Sequence, residues 1–141
     1  MSKYEYSFAQ LSEGGLTQIA IKIAPHVGPA ITVCLSGEIG AGKSVFARAL
    51  ITELLDSPED IPSPSFTLVQ VYETRNFDIW HCDFYRMDHV DPTGELGLMD
   101  AFETCCCIME WPERLTSRPS QNTINIKINV DDTTQMRDLM I

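Results

Sequence analysis

Gly37-Glu38-Ile39-Gly40-Ala41-Gly42-Lys43-Ser44 fits the pattern G-x-x-x-x-G-K-[ST]. Each residue type in it has a physical task. Glycine reaches backbone angles that other residues resist and lets main-chain N–H groups approach an anion closely. A lysine at position 43 reaches the β- and γ-phosphates of a nucleoside triphosphate, and the Ser44 hydroxyl is a ligand for Mg²⁺. The loop needs a strand before it and a helix after it, whose N-terminus offers the positive end of its dipole to phosphate. Both flanks are present. Ile31-Thr32-Val33-Cys34-Leu35 is a short apolar, β-branched run, and Val45-Phe46-Ala47-Arg48-Ala49-Leu50 continues as a helix predicted over 43–55. The chain is therefore expected to bind a nucleoside triphosphate with Mg²⁺, through Gly37 to Ser44 and Val45.

Outward from the loop the elements alternate. Leu16, Ile19, Ala20 and Ile23 recur at helical spacing and predict a helix over 12–24, capped by Ser12 and ended by Pro25 and Gly28. After the second helix, Ser57-Pro58 and Ile61-Pro62-Ser63-Pro64 form a proline loop. Strands are predicted over 66–72 and 77–84 as a hairpin through Glu73-Thr74-Arg75-Asn76. A short acidic helix follows over 92–102, then a buried strand over 104–109, an alternating strand over 123–130 and a last strand over 135–141. With no repeat and no linker, residues 1–141 read as one α/β domain. It is a P-loop NTPase-like fold with a mixed, mostly parallel β-sheet flanked by helices.

Composition limits the setting. The 141 residues carry 10 Lys and Arg against 20 Asp and Glu, a net charge of −10. Nucleic-acid binders need a basic surface to release counterions, so neither DNA nor free tRNA is an expected direct partner. No apolar run is long enough for a bilayer, and Met1 to Tyr6 lacks the apolar stretch of a signal peptide. A cytoplasmic protein is expected. The five cysteines, Cys34, Cys82 and Cys105-Cys106-Cys107, lack disulfide or zinc spacing and are expected to be reduced and buried.

A P-loop enzyme also needs a carboxylate near its Mg²⁺. Asp83 ends the run from Ile79, and Glu110 ends the run from Cys105; ligands gather at the carboxyl ends of strands in open α/β sheets. Either can serve. Trp111 either stacks on a base or packs in the core, and packing is the default. Ser63-Pro64-Ser65-Phe66-Thr67 is either a loop that senses the γ-phosphate or an ordinary proline turn, and the turn is the default. His81 reads as a packing or hydrogen-bonding residue.

Taken together, four blocks resemble the TsaE (YjeE) family of small ATPases from bacterial tRNA threonylcarbamoyladenosine synthesis. They are Leu35 to Ser44, Ser63-Pro64-Ser65-Phe66-Thr67-Leu68-Val69, His81-Cys82-Asp83-Phe84-Tyr85-Arg86 and Glu110-Trp111-Pro112, with Glu95-Leu96-Gly97-Leu98 between the last two. The resemblance spans nearly the whole chain. It implies that Lys43 binds phosphate, that Ser44 holds Mg²⁺, and that Glu110 belongs to the metal and catalytic site with Trp111 beside the nucleotide. It also implies that Asp83 fills the acidic strand-end role and Ser65 the switch-loop hydroxyl. Ser44 and Ser65 stand where the family usually has threonine, and Cys82 where it usually has an aromatic or apolar residue; the hydroxyl chemistry is kept. The implied cofactors are ATP and Mg²⁺. The implied partners are TsaD and TsaB, which carry out the transfer to tRNA, while the ATPase resets their complex.

Two other readings share the loop. A small P-loop kinase needs a basic lid, yet Asp88 to Glu113 holds seven acidic residues and no Lys or Arg. A nucleotide-dependent scaffold without turnover needs only the loop itself.

Overall fold

The computed structural model describes residues 5–94, 96–117 and 122–141. In chain order these form β1 (Ser7–Leu11), α1 (Glu13–Ile23), β2 (Thr32–Ser36), α2 (Lys43–Leu54), β3 (Val69–Glu73), β4 (Asp78–Asp83), α3 (Leu98–Thr104), β5 (Cys106–Glu110), β6 (Thr123–Val130) and β7 (Arg137–Met140). Two short 3₁₀ turns, Ala24–His26 and Pro112–Arg114, follow α1 and β5. The sheet order is β1-β7-β6-β2-β5-β4-β3.

Strand β2 is buried from Thr32 to Leu35 because both of its neighbours run parallel to it and both faces of the sheet are covered. One face carries Val33, Leu35, Ile79, Ile108, Ile126 and Ile128 against Leu16, Ile19 and Ala20 of α1 and Phe46, Leu50 and Ile51 of α2. The opposite face packs Cys82, Cys107 and Met109 against Phe84, Val90, Leu98, Ala101 and Leu115. Cys106 and Cys107 fall on opposite faces, as alternation along a strand requires. Both are fully buried, and Cys105 just ahead of them is half-buried.

Several expected elements stand where the residues placed them. Ser12 caps α1, its hydroxyl accepting from the Gly15 N–H at 3.1 Å. The β3–β4 hairpin also forms, its turn at 74–77 one residue later than expected because Glu73 pairs with Asp78, with Thr74 Oγ1 donating to the Phe77 carbonyl at 2.6 Å.

Other expectations need correction. The sheet is mixed, but parallel pairing is confined to its middle, β6–β2–β5–β4; β1–β7, β7–β6 and β4–β3 are antiparallel. The reason is the short connections. Residues 74–77 and a turn built on Asp131, whose Oδ1 accepts from Thr133 and Thr134 N–H, can join only antiparallel neighbours. The acidic helix begins at Leu98, not at Pro92. Asp91 folds the preceding stretch into a turn, accepting from the Thr93 N–H at 2.9 Å and hydroxyl at 2.7 Å, and Gly97 enters the helix at φ 75°. The first hairpin strand starts at Val69, because Leu68 has φ 68° and donates its N–H to the Pro64 carbonyl. Strand β1 was not expected at all. The readings that touch residues 1–4 and Glu95 lie outside the described residues.

Candidate functional site

Register explains how the site assembles. In the parallel pairs, Asp83 lies beside Glu110 and Glu110 beside Leu35, so both carboxylates reach the sheet edge where β2 passes into the glycine loop. His81, Asp83 and Glu110 share the face that carries α2, since Ile79 and Ile108 of the same periodicity pack there.

Three glycines shape the loop. Gly37 has φ 143°, and a Cβ on it would stand 2.2 Å from the Ile128 carbonyl oxygen. Gly42, the N-cap of α2, has φ 115°, and a Cβ there would meet Leu16 at 2.6 Å. Gly40 has φ 79° in open space. No side chain caps α2 and no acidic residue stands in its first turn. Its leading N–H groups are thus left without a capping side chain of their own at the cleft end of the helix.

Lys43 is 5 % exposed. Its Nζ donates to the Gly37 carbonyl and, at 3.1 Å, to the Glu38 carbonyl, and it lies 3.9 Å from the centre of the Trp111 ring. Burial pushes the ammonium below its ordinary value, opposed by Glu110, Glu113, Asp83 and Glu38 in that order. Ser44 Oγ donates to Glu110 Oε1 at 2.8 Å, and the other carboxylate oxygen meets His81 Nε2 at 2.9 Å. Asp83 accepts from the Tyr85 N–H at 3.0 Å and from Ser65 Oγ at 3.3 Å, and Ser65 Oγ lies 2.8 Å from Ser63 Oγ.

Trp111 occupies the left-handed region at φ 61°, a conformation that costs a bulky residue about 1–3 kcal/mol. The indole lies beside Lys43, with Tyr85 5.0 Å away. Trp111 thus packs against the Cys82, Phe84 and Met109 cluster, as its default reading expects, and lines the cleft as well.

These groups surround a cleft of about 310 Å³ whose walls include Gly40, Gly42, Lys43, Ser44, Asp83 and Glu110. Ile39, Val45, Tyr85 and Trp111 also line it. Ala41 is buried in the core instead, Glu38 contributes a carbonyl, and Ser65 reaches the cleft only through Asp83.

Arg137 and Glu13 complete the wall and were not expected. Arg137 Nε donates to the Ala41 carbonyl at 3.3 Å and its Nη1 to the Gln135 carbonyl at 3.0 Å, which ties the glycine loop to the start of β7. Nothing local in the sequence marks this arginine, which stands 96 positions from Ala41.

Among the described residues no cluster of three His, Cys, Asp or Glu side chains could hold a metal by itself. The donors present are a hydroxyl and two carboxylates. Hard oxygen donors of this kind, few in number, suit Mg²⁺, which keeps waters and phosphate oxygens as its remaining ligands.

Residues 11–139 match the family model described as threonylcarbamoyl adenosine biosynthesis protein TsaE. The chain belongs to the TsaE family. A TsaE from Rickettsia typhi, named as a tRNA threonylcarbamoyladenosine biosynthesis protein, is 34% identical over 119 residues, 83% of each chain. The Aquifex aeolicus TsaE is 33% identical over 118 residues, again 83% of each, and the Treponema pallidum TsaE 34% over 99 residues, 70% of this chain and 72% of that one. The crystal structure of Bacillus subtilis YdiB superposes with a TM-score of 0.74, covering 99% of this chain and 86% of that one at 24% identity, a likeness of fold. This TsaE-family chain therefore has relatives named for a tRNA modification pathway, together with a cleft that gathers Lys43, Ser44, Asp83 and Glu110 at the start of α2.

Proposed function

We propose that this TsaE-family chain binds ATP with Mg²⁺ in the cleft beside α2 and hydrolyses it. We further propose that it works with TsaD and TsaB in tRNA threonylcarbamoyladenosine modification, where turnover resets the transferase complex. The observation that carries the reading is the uncapped start of α2 with Lys43 and Ser44 in its first turn and the Glu110 carboxylate 2.8 Å from the Ser44 hydroxyl. The loop from Gly37 to Val45 cradles the phosphates through its N–H groups. Lys43 leaves its loop carbonyls for the β- and γ-phosphates, and Trp111 lies beside the nucleotide. Ser44, Glu110 and Asp83 are the oxygen donors for Mg²⁺, which when bound neutralises charge on the β- and γ-oxygens.

Phosphoryl transfer to water depends mainly on positioning and on charge stabilisation. Glu110, already oriented at both oxygens, and Asp83, held by Ser65 and the Tyr85 N–H, orient the attacking water at the γ-phosphate. Ser65 couples the 63–67 loop to that carboxylate. The loop from Gly37 to Ser44 supplies no arginine of its own, and in this reading the intrinsic rate is slow and partner proteins raise it. In this reading residues 1–141 act as one ATPase domain, and tRNA is met only through the partners.

Steady-state ATPase assays with and without TsaB and TsaD test this. The expected result is a stimulated rate of at least about tenfold, lost in Lys43→Ala and Glu110→Ala. Parent turnover that the partners leave unchanged overturns the partner-stimulated cycle. ATP-dependent assembly without any turnover leaves a nucleotide-gated scaffold.

A further inference from the structure

His81 is 2 % exposed on β4, and it has one polar partner. Its Nε2 lies 2.9 Å from Glu110 Oε2, while its Nδ1 is buried with no hydrogen-bond partner. A carboxylate only accepts hydrogen bonds, so Nε2 carries the proton in this contact. The orphaned nitrogen has a cost: an unsatisfied buried polar atom is worth about 1–3 kcal/mol of lost stability. An apolar side chain on this strand face, beside Ile108 and Ile79, would avoid it. A buried imidazole with one partner and one orphan is poorly explained by packing.

What the contact does is visible at the other oxygen. Glu110 Oε1 receives the Ser44 hydroxyl at 2.8 Å, so the carboxylate is held from two sides, by β4 and by the first turn of α2. It has another possible partner. Of the carboxylates around Lys43, Glu110 acts on it most strongly. A Glu110 released on one side would close onto that ammonium, taking the cation from phosphate and the carboxylate from Ser44.

We propose that His81 is a positioning residue that keeps Glu110 turned toward Ser44 and off Lys43, so that Mg²⁺ and nucleotide meet a pre-set carboxylate. The proposal rests on the ATP–Mg²⁺ reading above and adds to it the residue that sets its carboxylate. It assigns His81 no contact with substrate.

The test compares His81→Gln with His81→Asn. Both are polar and carry a similar burial cost, but the Gln amide reaches the place of Nε2 and the Asn amide stops short of it. Calorimetry measures the factor by which Mg²⁺ tightens ADP binding, and partner-stimulated ATPase assays measure kcat. In His81→Gln both stay within about threefold of the parent. In His81→Asn both fall by about tenfold or more, as for other oriented carboxylate ligands, while ADP affinity without Mg²⁺ falls by a smaller factor, about threefold, through the Lys43 ammonium that Glu110 then holds. The proposal is overturned if His81→Asn behaves as the parent, if Gln fails to restore what Asn loses, or if Mg²⁺-free affinity falls in step. A parent that binds Mg–ADP but never turns over removes the hydrolysis reading and leaves the binding comparison decisive. A parent that binds no nucleotide removes the ATP reading itself. Nitrogen chemical shifts of His81 then decide: a protonated Nε2 that loses its hydrogen-bonded shift in Glu110→Gln supports the proposal, and an unprotonated Nε2 overturns it.

Discussion

Gly37 stands where the sheet hands the chain to the loop, and its position leaves no room for a side chain. Its φ of 143° and the Ile128 oxygen 2.2 Å from a would-be Cβ act together, since neither backbone can yield without breaking β2–β6 pairing. Gly37→Ala is expected to lower stability by about 2 kcal/mol or more, read from the urea midpoint. The buried thiols give a second prediction. Burial raises Cys106 from 9.0 to about 12 and moves Cys82 and Cys107 further up still. Above about pH 9 the unfolded chain sheds these protons while the folded one keeps them, so stability falls as pH rises toward 12. Urea midpoints from about pH 8 to about pH 11 should decline, and more shallowly in Cys82→Ala/Cys106→Ala/Cys107→Ala.

At the scale of elements, β7 does more than close an edge. Arg137 at its start holds the Ala41 carbonyl and stands 3.9 Å from Glu13 of α1. The ion pair is open to solvent at Glu13 and contributes little; the carbonyl contact ties the glycine loop to β7. Arg137→Met is therefore expected to weaken ADP binding by about three- to tenfold, the net value of one ordinary hydrogen bond, while Glu13→Ala stays within about twofold. Calorimetry separates the two. The same strand shows what a linear reading can and cannot reach. The glycine loop, Lys43, Ser44 and the two strand-end carboxylates were legible because their spacing is local and their chemistry needs those residue types. Arg137 was not, since its role arises from a sheet register joining the two ends of the chain. β1 was hidden for a related reason. It is an edge strand with only Phe8 and Leu11 partly buried, and its pairing with β7 shifts register where Gln10 takes φ 56°, so no clean alternation survives. The helix before β5 was misplaced because the Asp91 turn competes with helix for the same polar residues. His81 and Trp111 were visible as letters, but their orientation depends on strand parity and on a left-handed turn.

For the whole molecule, the charge of −10 bears on which surfaces it can meet. Among the described residues no helix is long and apolar enough to cross a membrane. The cations of the cleft, Lys43 and Arg137, are both engaged by the loop and make no basic stripe for a phosphate backbone. The isolated chain is expected to bind tRNA no more tightly than about 10 μM at physiological salt, below the usual range of specific complexes; a submicromolar, salt-sensitive affinity in filter binding would count against the division of labour proposed with TsaB and TsaD. One feature of the cleft also turns the protein into its own indicator. The Lys43 ammonium rests 3.9 Å from the centre of the Trp111 indole, a cation close enough to perturb the excited state. The chain has one other tryptophan, Trp80, which packs with the core on the sheet face away from α2. If phosphate draws the ammonium away, as proposed, the light emitted by Trp111 is expected to change more than that of Trp80, which has no such contact with Lys43. In Trp80→Phe, occupancy of the cleft could be followed by fluorescence alone, with no label attached.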